Sequence, residues 1–189
     1  MRFLALPLTT AMCVKCAHSQ LNKEKTMKRN WMTTAEGYLG THETPGASHT
    51  PLIVRMWERI RAPFRDDETP WCAAFVGSVL EESGFKSTRS GLARSYLKWG
   101  IALPKPAVGA VAILWRGKPN SSSGHVGFVV GFDTYGNVLV LGGNQGNAVT
   151  VAPYSRMRVL GYRWPEIPRY DMPTEPEYML PTIKARGLK

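Results

Sequence analysis

A chain of 189 residues with 43% hydrophobic residues is long enough for one well-buried domain and too short for two of ordinary size. Its formal net charge is +10, and half of this excess lies in residues 1–30, which hold six Lys or Arg and one Glu. Positive charge attracts anionic partners without selecting among them. The sequence has no zinc-finger spacing, Arg-rich helix or RNP-like aromatic strand, which argues against a nucleic-acid partner.

Residues 1–30 are predicted to be a basic leader or a disordered N-terminal extension. Residues 1–14 resemble a weak signal sequence that Lys15 interrupts, and they are too short to span a bilayer. Met27 would serve equally well as a start, so residues 1–26 are a leader, an upstream extension or a disordered tail. Cys13 and Cys16 form a C-x-x-C pair without a second ligand pair, so neither a metal site nor a redox site is expected there.

The first half of the remaining chain has helical patterns. Short helices are predicted near residues 31–39 and from Pro51, where apolar residues recur at helical spacing. The segment "TPWCAAFVGSVLEESGF" gives the clearest helix, with Thr69 as its cap, Pro70 in its first turn and Gly84 at its end. A further short helix is predicted within residues 91–100.

The second half has the pattern of short strands. The segments are rich in β-branched and aromatic residues and are separated by Gly, Asn, Ser or Pro: "VGAVAILWRG", "GHVGFVVGFD", "NVLVLGGNQG", "AVTVAPY" and "VLGYRWP". Helices followed by strands predict an α+β fold, in which the helices pack on one face of an antiparallel sheet of about five strands. The proline-rich residues 166–189 are predicted to form a tail on the domain surface.

Cys72 is the candidate nucleophile. Its predicted place in the first helical turn lies near unpaired backbone N–H groups and the positive end of the helix dipole, which stabilise a thiolate. A lone cysteine on an apolar helix face is nevertheless more often a buried structural residue. A partner that accepts the thiol proton is therefore needed before a catalytic role is favoured.

His125 is the best partner in the sequence because it stands at the start of a strand after a polar run. If "DTYG" forms a four-residue turn, the residue numbers of each opposed pair in the hairpin add up to 269. His125 then lies opposite Asn144. An amide oxygen there would hold one ring nitrogen and leave the other as a base. A five-residue turn would place Gln145 opposite His125 instead.

The same register predicts that glycines on the His125 face of the hairpin, Gly127, Gly131 and Gly142, let the Cys72 helix approach the sheet. It also predicts that this hairpin is central and buried on both faces.

Several residues near Cys72 are weaker candidates for contacts with a substrate. They are Trp71, Glu68, Gln145 and Trp115, although each tryptophan is more often a core residue. The acidic run Asp66, Asp67 and Glu68 lacks the alternating spacing of a calcium loop, so no metal is expected. No cofactor is expected either.

The order of motifs resembles a known family, the CHAP-type (cysteine, histidine-dependent amidohydrolase/peptidase) cell-wall hydrolases and the related NlpC-type peptidases. The segments that carry the resemblance span residues 31–165: "GTHETPG", "DDETPWCAAFVGSVLEESGF", "GLARSYLKWG", "GHVGFVVG", "VLVLGGNQGNAVTV" and "LGYRWP". One departure is Val108-Gly109-Ala110, where relatives commonly have Pro-Gly-Asp.

The resemblance implies a papain-like α+β fold that hydrolyses an amide bond of peptidoglycan. It implies Cys72 as the nucleophile, His125 as the general base and then acid, and Asn144 as the orienting residue. Many relatives are phage endolysins, which implies a monomeric enzyme held in the host cytoplasm, without membrane insertion, until it reaches the wall. Alternatives are a wall-binding or virion structural module without chemistry, an antibacterial amidase toxin, and a wall-remodelling enzyme.

Overall fold

The helices precede the sheet in the computed structural model, which describes residues 30–46, 48–166, 172–173 and 181–182. They are α1 (Asn30–Glu36), α2 (Pro51–Arg59) and α3 (Cys72–Glu82), followed by the short 3-10 helices η1 (Ala93–Lys98) and η2 (Arg156–Arg158). The chain divides into the units Met1–Asn30 and Trp31–Lys189. The predictions for residues 1–29, including Cys13 and Cys16, lie outside the described residues.

Helix α2 begins at Pro51, whose missing N–H costs nothing in a first turn. Its buried side chains, Ile53, Met56 and Trp57, recur at helical spacing and join the core. Full burial of an apolar side chain contributes about 1.5–3 kcal/mol. The predicted helix from Pro51 is therefore confirmed, and its apolar face fixes it on the domain.

Helix α3 begins two residues later than the sequence predicted. Trp71 and not Thr69 is the N-cap, and no side chain caps the helix. The N–H of Thr69 instead donates to the Asp66 carboxylate at 2.6 Å, in the turn before the helix. At the other end Gly84 has φ +87°, and the N–H of Phe85 donates to the carbonyl of Leu80 at 2.9 Å. This Schellman ending confirms the predicted stop at Gly84.

The sheet has six antiparallel strands among the described residues, one more than predicted. They are β1 (Ile101–Leu103), β2 (Val111–Trp115), β3 (Gly124–Phe132), β4 (Val138–Gly142), β5 (Thr150–Tyr154) and β6 (Val159–Trp164), in the order β1-β6-β2-β3-β4-β5. The additional strand is β1, which pairs with β6. Three residues are too few to show an alternating pattern, so the sequence did not reveal it.

The hairpin of β3 and β4 is central and almost wholly buried, as predicted. Its turn has five residues, because Phe132 pairs with Val138, and the register then shifts by one residue at a bulge between Val129 and Gly131. Beyond the bulge Val129 pairs with Val140. The residue numbers of this pair add up to the predicted 269. The predicted four-residue turn is therefore wrong, while the predicted register holds in the half of the hairpin that leads to His125.

The helices pack against the sheet, and the core includes buried residues of both faces of β3 and β4. Phe75 of α3 meets Phe128 of β3 edge to face, with ring centroids 6.1 Å apart. Trp31 of α1 packs in the same way on Trp164 of β6 at 5.2 Å. The α+β arrangement predicted from the sequence is confirmed and is compatible with a papain-like fold.

Two short parts of the tail are described. Pro173 is buried, and the carbonyl of Pro181 accepts a hydrogen bond from the N–H of Phe132 at 3.0 Å. The rest of the predicted tail lies outside the described residues. Within the described ranges, no helix has the length and apolar character needed to cross a membrane.

Candidate active site

Cys72 is the first residue of α3, and its thiol lies against strand β3. The backbone N–H groups of Val126 and Ala73 donate to Sγ, and both interactions favour the thiolate. Burial opposes them, because only 6% of Cys72 is exposed and the charged form loses its hydration. Burial is the larger effect and raises the pKa of the Cys72 thiol, so the expected thiolate stabilisation by the helix start is outweighed in the free protein.

His125 directly precedes Val126 on β3, the residue whose backbone N–H donates to the Cys72 thiol. Its ring is buried, and Nε2 lies 3.0 Å from the side-chain oxygen Oε1 of Gln145. An amide oxygen only accepts hydrogen bonds, so Nε2 carries the proton of the neutral ring. The other ring nitrogen, Nδ1, therefore keeps the lone pair that a general base needs.

The amide of Gln145 is fixed in this orientation by its own partners. Its nitrogen Nε2 donates to the carbonyl oxygens of Val140 and Thr150, at 3.2 and 2.6 Å. The hydroxyl of Tyr154 donates to Oε1 at 3.0 Å, and burial raises the pKa of Tyr154, so that this hydroxyl keeps its proton. A flipped amide would place its oxygen against the carbonyl oxygens of Val140 and Thr150, which cannot donate, so this network sets the tautomer of His125.

Asn144 does not take the position that the sequence predicted for it. Strand β4 ends at Gly142, and Asn144 adopts a left-handed conformation with φ +55°, which turns the chain and brings Gln145 back to His125. The amide nitrogen of Asn144 donates to the Glu43 carboxylate at 2.8 Å. The predicted contact of Asn144 with His125 is corrected to Gln145, which therefore faces the histidine and not a substrate.

The surroundings of His125 keep the ring neutral. Burial lowers the pKa of His125 to about 4, although the hydrogen bond to Gln145 opposes this. The positive charges of Arg116 and Arg158 lower the pKa further. At neutral pH His125 is therefore a neutral imidazole, and Cys72 is a neutral thiol.

Glu43 is a site residue that the sequence reasoning missed. Backbone hydrogen bonds hold it beside the loop after β4, where its N–H donates to Asn147 at 2.9 Å. Its oxygen Oε1 accepts from Nε1 of Trp71 and from Nδ2 of Asn144, each at 2.8 Å. Glu43 thus joins the residue before Cys72 to the residue before Gln145. Its place in "GTHETPG" was the available signal, but its partner lies 101 positions away.

Close approach of α3 depends on Gly143 and not on the predicted glycines of the hairpin. A Cβ atom at Gly143 would lie 2.5 Å from the Trp71 ring and 2.6 Å from the Cβ of Phe75. By contrast, a Cβ at Gly127 would meet Val140 and other atoms of the sheet itself. The missing side chain at residue 143 therefore allows the start of α3 to reach the sheet end.

Two predicted substrate contacts occupy other places. Trp71 is fully buried between Gly143 and Glu43, so its ring offers no surface to a substrate. Trp115 is half-buried, and its Nε1 donates to the carbonyl of Met157 at 3.1 Å. Trp115 instead supports the guanidinium of Arg158, which lies 5.4 Å from its ring centroid.

A groove opens beside the start of α3, with a volume of about 610 Å³. Its lining includes Glu43, Glu68, Pro70 and Asn144. Glu68 is exposed in this lining, whereas neither Trp71 nor Trp115 lines the groove.

Asp67, in the acidic run before α3, has a structural role. Its fully buried carboxylate accepts from the N–H groups of Thr44 and Thr50 and lies 2.9 Å from Nδ1 of His49. Burial favours the neutral acid, but these hydrogen bonds outweigh it and hold the pKa of Asp67 well below its usual range. Across the described part of the chain, no group of three His, Cys, Asp or Glu side chains is placed to hold a metal ion.

Comparisons with known proteins give one match. No curated protein and no solved structure matches the chain. The matching segment, residues 64–144, contains Cys72 and His125 and ends at Asn144, one residue before Gln145. Residues 64–144 match the family model of the CHAP domain, and this match supports a CHAP-type peptidase or amidase, a peptidoglycan-related hydrolase.

Proposed function

We propose that this protein cleaves an amide bond of bacterial peptidoglycan through an acyl-enzyme on Cys72. The observation that carries the proposal is the hydrogen bond between His125 Nε2 and Gln145 Oε1, because it leaves Nδ1 available as a base. His125 directly precedes Val126, whose backbone N–H donates to the Cys72 thiol. The CHAP match over this segment supports the substrate class. Gln145 takes the orienting role that the resemblance assigned to Asn144.

Acylation begins when Cys72 Sγ attacks the carbonyl carbon of the scissile amide and His125 Nδ1 accepts the thiol proton. The resulting imidazolium keeps its second N–H bond to Gln145, which stabilises the charge that forms. The backbone N–H groups at the start of α3 stabilise the oxyanion of the tetrahedral intermediate. Its collapse breaks the C–N bond, and the leaving amine takes the proton from His125.

Deacylation reverses these roles. His125, neutral again, takes a proton from water, whose oxygen attacks the thioester carbonyl. The C–S bond breaks, Cys72 regains its proton from His125, and the acid product leaves. One base thus serves both halves of the reaction, which requires a fixed tautomer throughout.

Digestion of purified peptidoglycan tests the activity and identifies the scissile bond. Wild-type protein is expected to release new amino groups without new reducing sugars, and mass spectrometry of the fragments distinguishes an amidase from an endopeptidase. Cys72→Ala and Cys72→Ser should abolish release while far-UV circular dichroism shows the fold unchanged. Binding to walls without any release would instead favour the non-catalytic module, and full activity in Cys72→Ala would refute the mechanism.

We further propose a role in host lysis, as a monomeric phage endolysin that acts once the membrane is breached. The net charge of +10 supports it, since a cationic protein is attracted to an anionic wall. Cells that express the protein in the cytoplasm should stay intact until a permeabilising agent is added and should then lyse. The Cys72→Ala variant is the control. Lysis without the agent would mean that the chain is exported, as a toxin or wall-remodelling enzyme requires.

A further inference from the structure

We infer that Arg116 and Arg158 form a carboxylate-binding subsite at the active site, so that the preferred substrate carries a free carboxylate next to the scissile amide. The inference rests on the proposed function and adds the chemistry of substrate selection. It concerns two residues that the sequence reasoning did not single out.

The strand order brings the two arginines to one end of the sheet. Arg116 directly follows β2, where Leu114 pairs with His125 of β3. On the other side of β2, Leu114 also pairs with Val159 of β6, the residue after Arg158. Both arginines are thus placed next to the strand end that carries His125.

Arg158 is held in place before any ligand binds. Its Nε and Nη2 atoms donate to the carbonyl of Trp115 at 3.3 and 3.0 Å. Its guanidinium lies over the rings of Trp115 and Tyr154, 5.4 and 5.6 Å from their centroids. Tyr154 in turn stacks on the His125 ring at 5.3 Å. A guanidinium oriented in this way loses little side-chain entropy when it binds a carboxylate.

Arg116 is the residue after Trp115, at the end of β2. Its side chain is exposed, while its backbone is anchored by the Ser121 hydroxyl, which donates to its carbonyl at 2.8 Å. Its charge lowers the pKa of both Cys72 and His125. Its position directly after β2, where Leu114 pairs with His125, places this charge at the same strand end.

Neither arginine has an acidic partner within the described ranges. The described ion pairs join Arg59 to Glu82, Arg89 to Glu81 and, when the ring is protonated, His49 to Asp67. Two cations at the strand end that carries His125, with no described carboxylate on them, leave their ion-pairing capacity for a ligand. Arginine binds a carboxylate through parallel N–H bonds, which gives geometric selection as well as charge.

Alkylation of Cys72 tests the subsite without any need for peptidoglycan cleavage. Iodoacetate and iodoacetamide form closely similar thioethers but differ in charge, and mass spectrometry of the Cys72 peptide separates this reaction from that of Cys13 and Cys16. The ratio of the two rate constants should favour iodoacetate more in the protein than in N-acetylcysteine. Arg116→Gln and Arg158→Gln should each lower this ratio, by up to about fivefold for a partly exposed ion pair.

The control for general attraction is Arg55→Gln, an exposed arginine on α2. It removes the same charge from the chain and should leave the ratio within error of wild type. Because Arg158 also donates to the Trp115 carbonyl, a melting curve is measured for each variant to show that it is folded. Arg116→Gln is the cleaner variant, since it removes no described side-chain hydrogen bond. Equal ratios in all four proteins would overturn the inference.

A pair of substrates then distinguishes two roles for the arginines: binding of a substrate carboxylate, and stabilisation of the negative charge that develops in the transition state. Two soluble wall peptides that differ only in a carboxylate or a carboxamide next to the scissile bond are compared by kcat/KM. The wild-type protein should prefer the carboxylate, and the double variant Arg116→Gln/Arg158→Gln should lose that preference. Equal losses on both peptides would assign the arginines to the transition state and overturn the subsite. If neither peptide is cleaved by wild type, the proposed function fails while the alkylation result still stands.

Discussion

His125 and Gln145 face each other across the end of the central hairpin, with Nε2 of the ring 3.0 Å from Oε1 of the amide. The contact exists because the chain turns at Asn144, which has φ +55°. The same turn directs the Asn144 side chain to Glu43. Two adjacent amides therefore have different partners: Gln145 contacts the His125 ring, and Asn144 contacts Glu43.

Substitution of the two amides should separate their roles. Gln145→Leu removes the acceptor for His125 and should lower kcat by about 100-fold or more, the scale of a general base that is lost or misoriented. Asn144→Gly keeps the left-handed turn, leaves His125 with its partner and should cost far less. Steady-state kinetics on a soluble wall peptide measures both. A larger loss in Asn144→Gly than in Gln145→Leu would return the orienting role to Asn144.

Tyr154→Phe tests whether Gln145 is itself positioned. The change removes the hydroxyl that donates to Gln145 Oε1 at 3.0 Å but keeps the ring that stacks on His125. A neutral hydrogen bond contributes about 0.5–1.5 kcal/mol, so kcat should fall by up to about tenfold with KM unchanged. Tyr154→Leu removes the stacking as well and should lose more. A change in KM alone would point to a substrate contact at Tyr154.

The pH profile of kcat/KM should be broad. Burial lowers the pKa of His125 to about 4, below its ordinary 6.5, so the base remains neutral and active well below pH 6.5. Burial raises the pKa of Cys72, so the neutral thiol persists above its ordinary range. The midpoint of the acid limb of this profile should therefore lie below pH 6.5. It should move to higher pH in Arg116→Gln and Arg158→Gln, because loss of a positive charge favours the imidazolium.

The rate of Cys72 alkylation by iodoacetamide, followed against pH, provides an independent check of the thiol. Its midpoint should lie above that of a free cysteine, because burial raises the pKa. A midpoint near or below neutrality would show a thiolate–imidazolium pair in the resting protein. The mechanism would then begin from the charged pair.

Gly143→Ala should disturb the active site without touching a reacting group. The added methyl would meet the Trp71 ring at 2.5 Å and the Phe75 Cβ at 2.6 Å, so the start of α3 must shift. Overpacking of this kind costs about 1–3 kcal/mol, and displacement of Cys72 should lower kcat. Gly161→Ala is the matched control, since its methyl meets only Leu97 at 3.6 Å. Equal effects in the two variants would refute the close approach as the cause.

Asp67 should matter for stability through its two buried backbone donors. Asp67→Ala leaves the N–H groups of Thr44 and Thr50 without their acceptor and should cost about 3 kcal/mol by urea unfolding. Asp67→Asn keeps one oxygen for these donors and should cost less, and the exposed Glu68→Ala should stay within about 0.5 kcal/mol.

The pH dependence of this effect has a definite sign. The pKa of Asp67 is held below its ordinary 3.8, so the unfolded chain binds the proton first as pH falls. The stabilisation is complete well above pH 3.8 and is lost as the pH falls towards the folded pKa. The difference between wild type and Asp67→Asn should therefore be smaller at pH 3 than at pH 7. A constant difference would show that the charge of Asp67 is not involved.

The sequence alone was sufficient for the α+β class, helices α2 and α3, the central hairpin and the pairing of Cys72 with His125 as candidates. These depend on local signals: apolar spacing, Pro51 and Gly84 at helix ends, and β-branched runs. The tertiary structure decided which amide faces His125, because a bulge between Val129 and Gly131 and a turn at Asn144 are small backbone events without a strong residue signature. It alone brought Glu43 to Trp71, since that contact joins distant segments through packing and not through any periodic pattern.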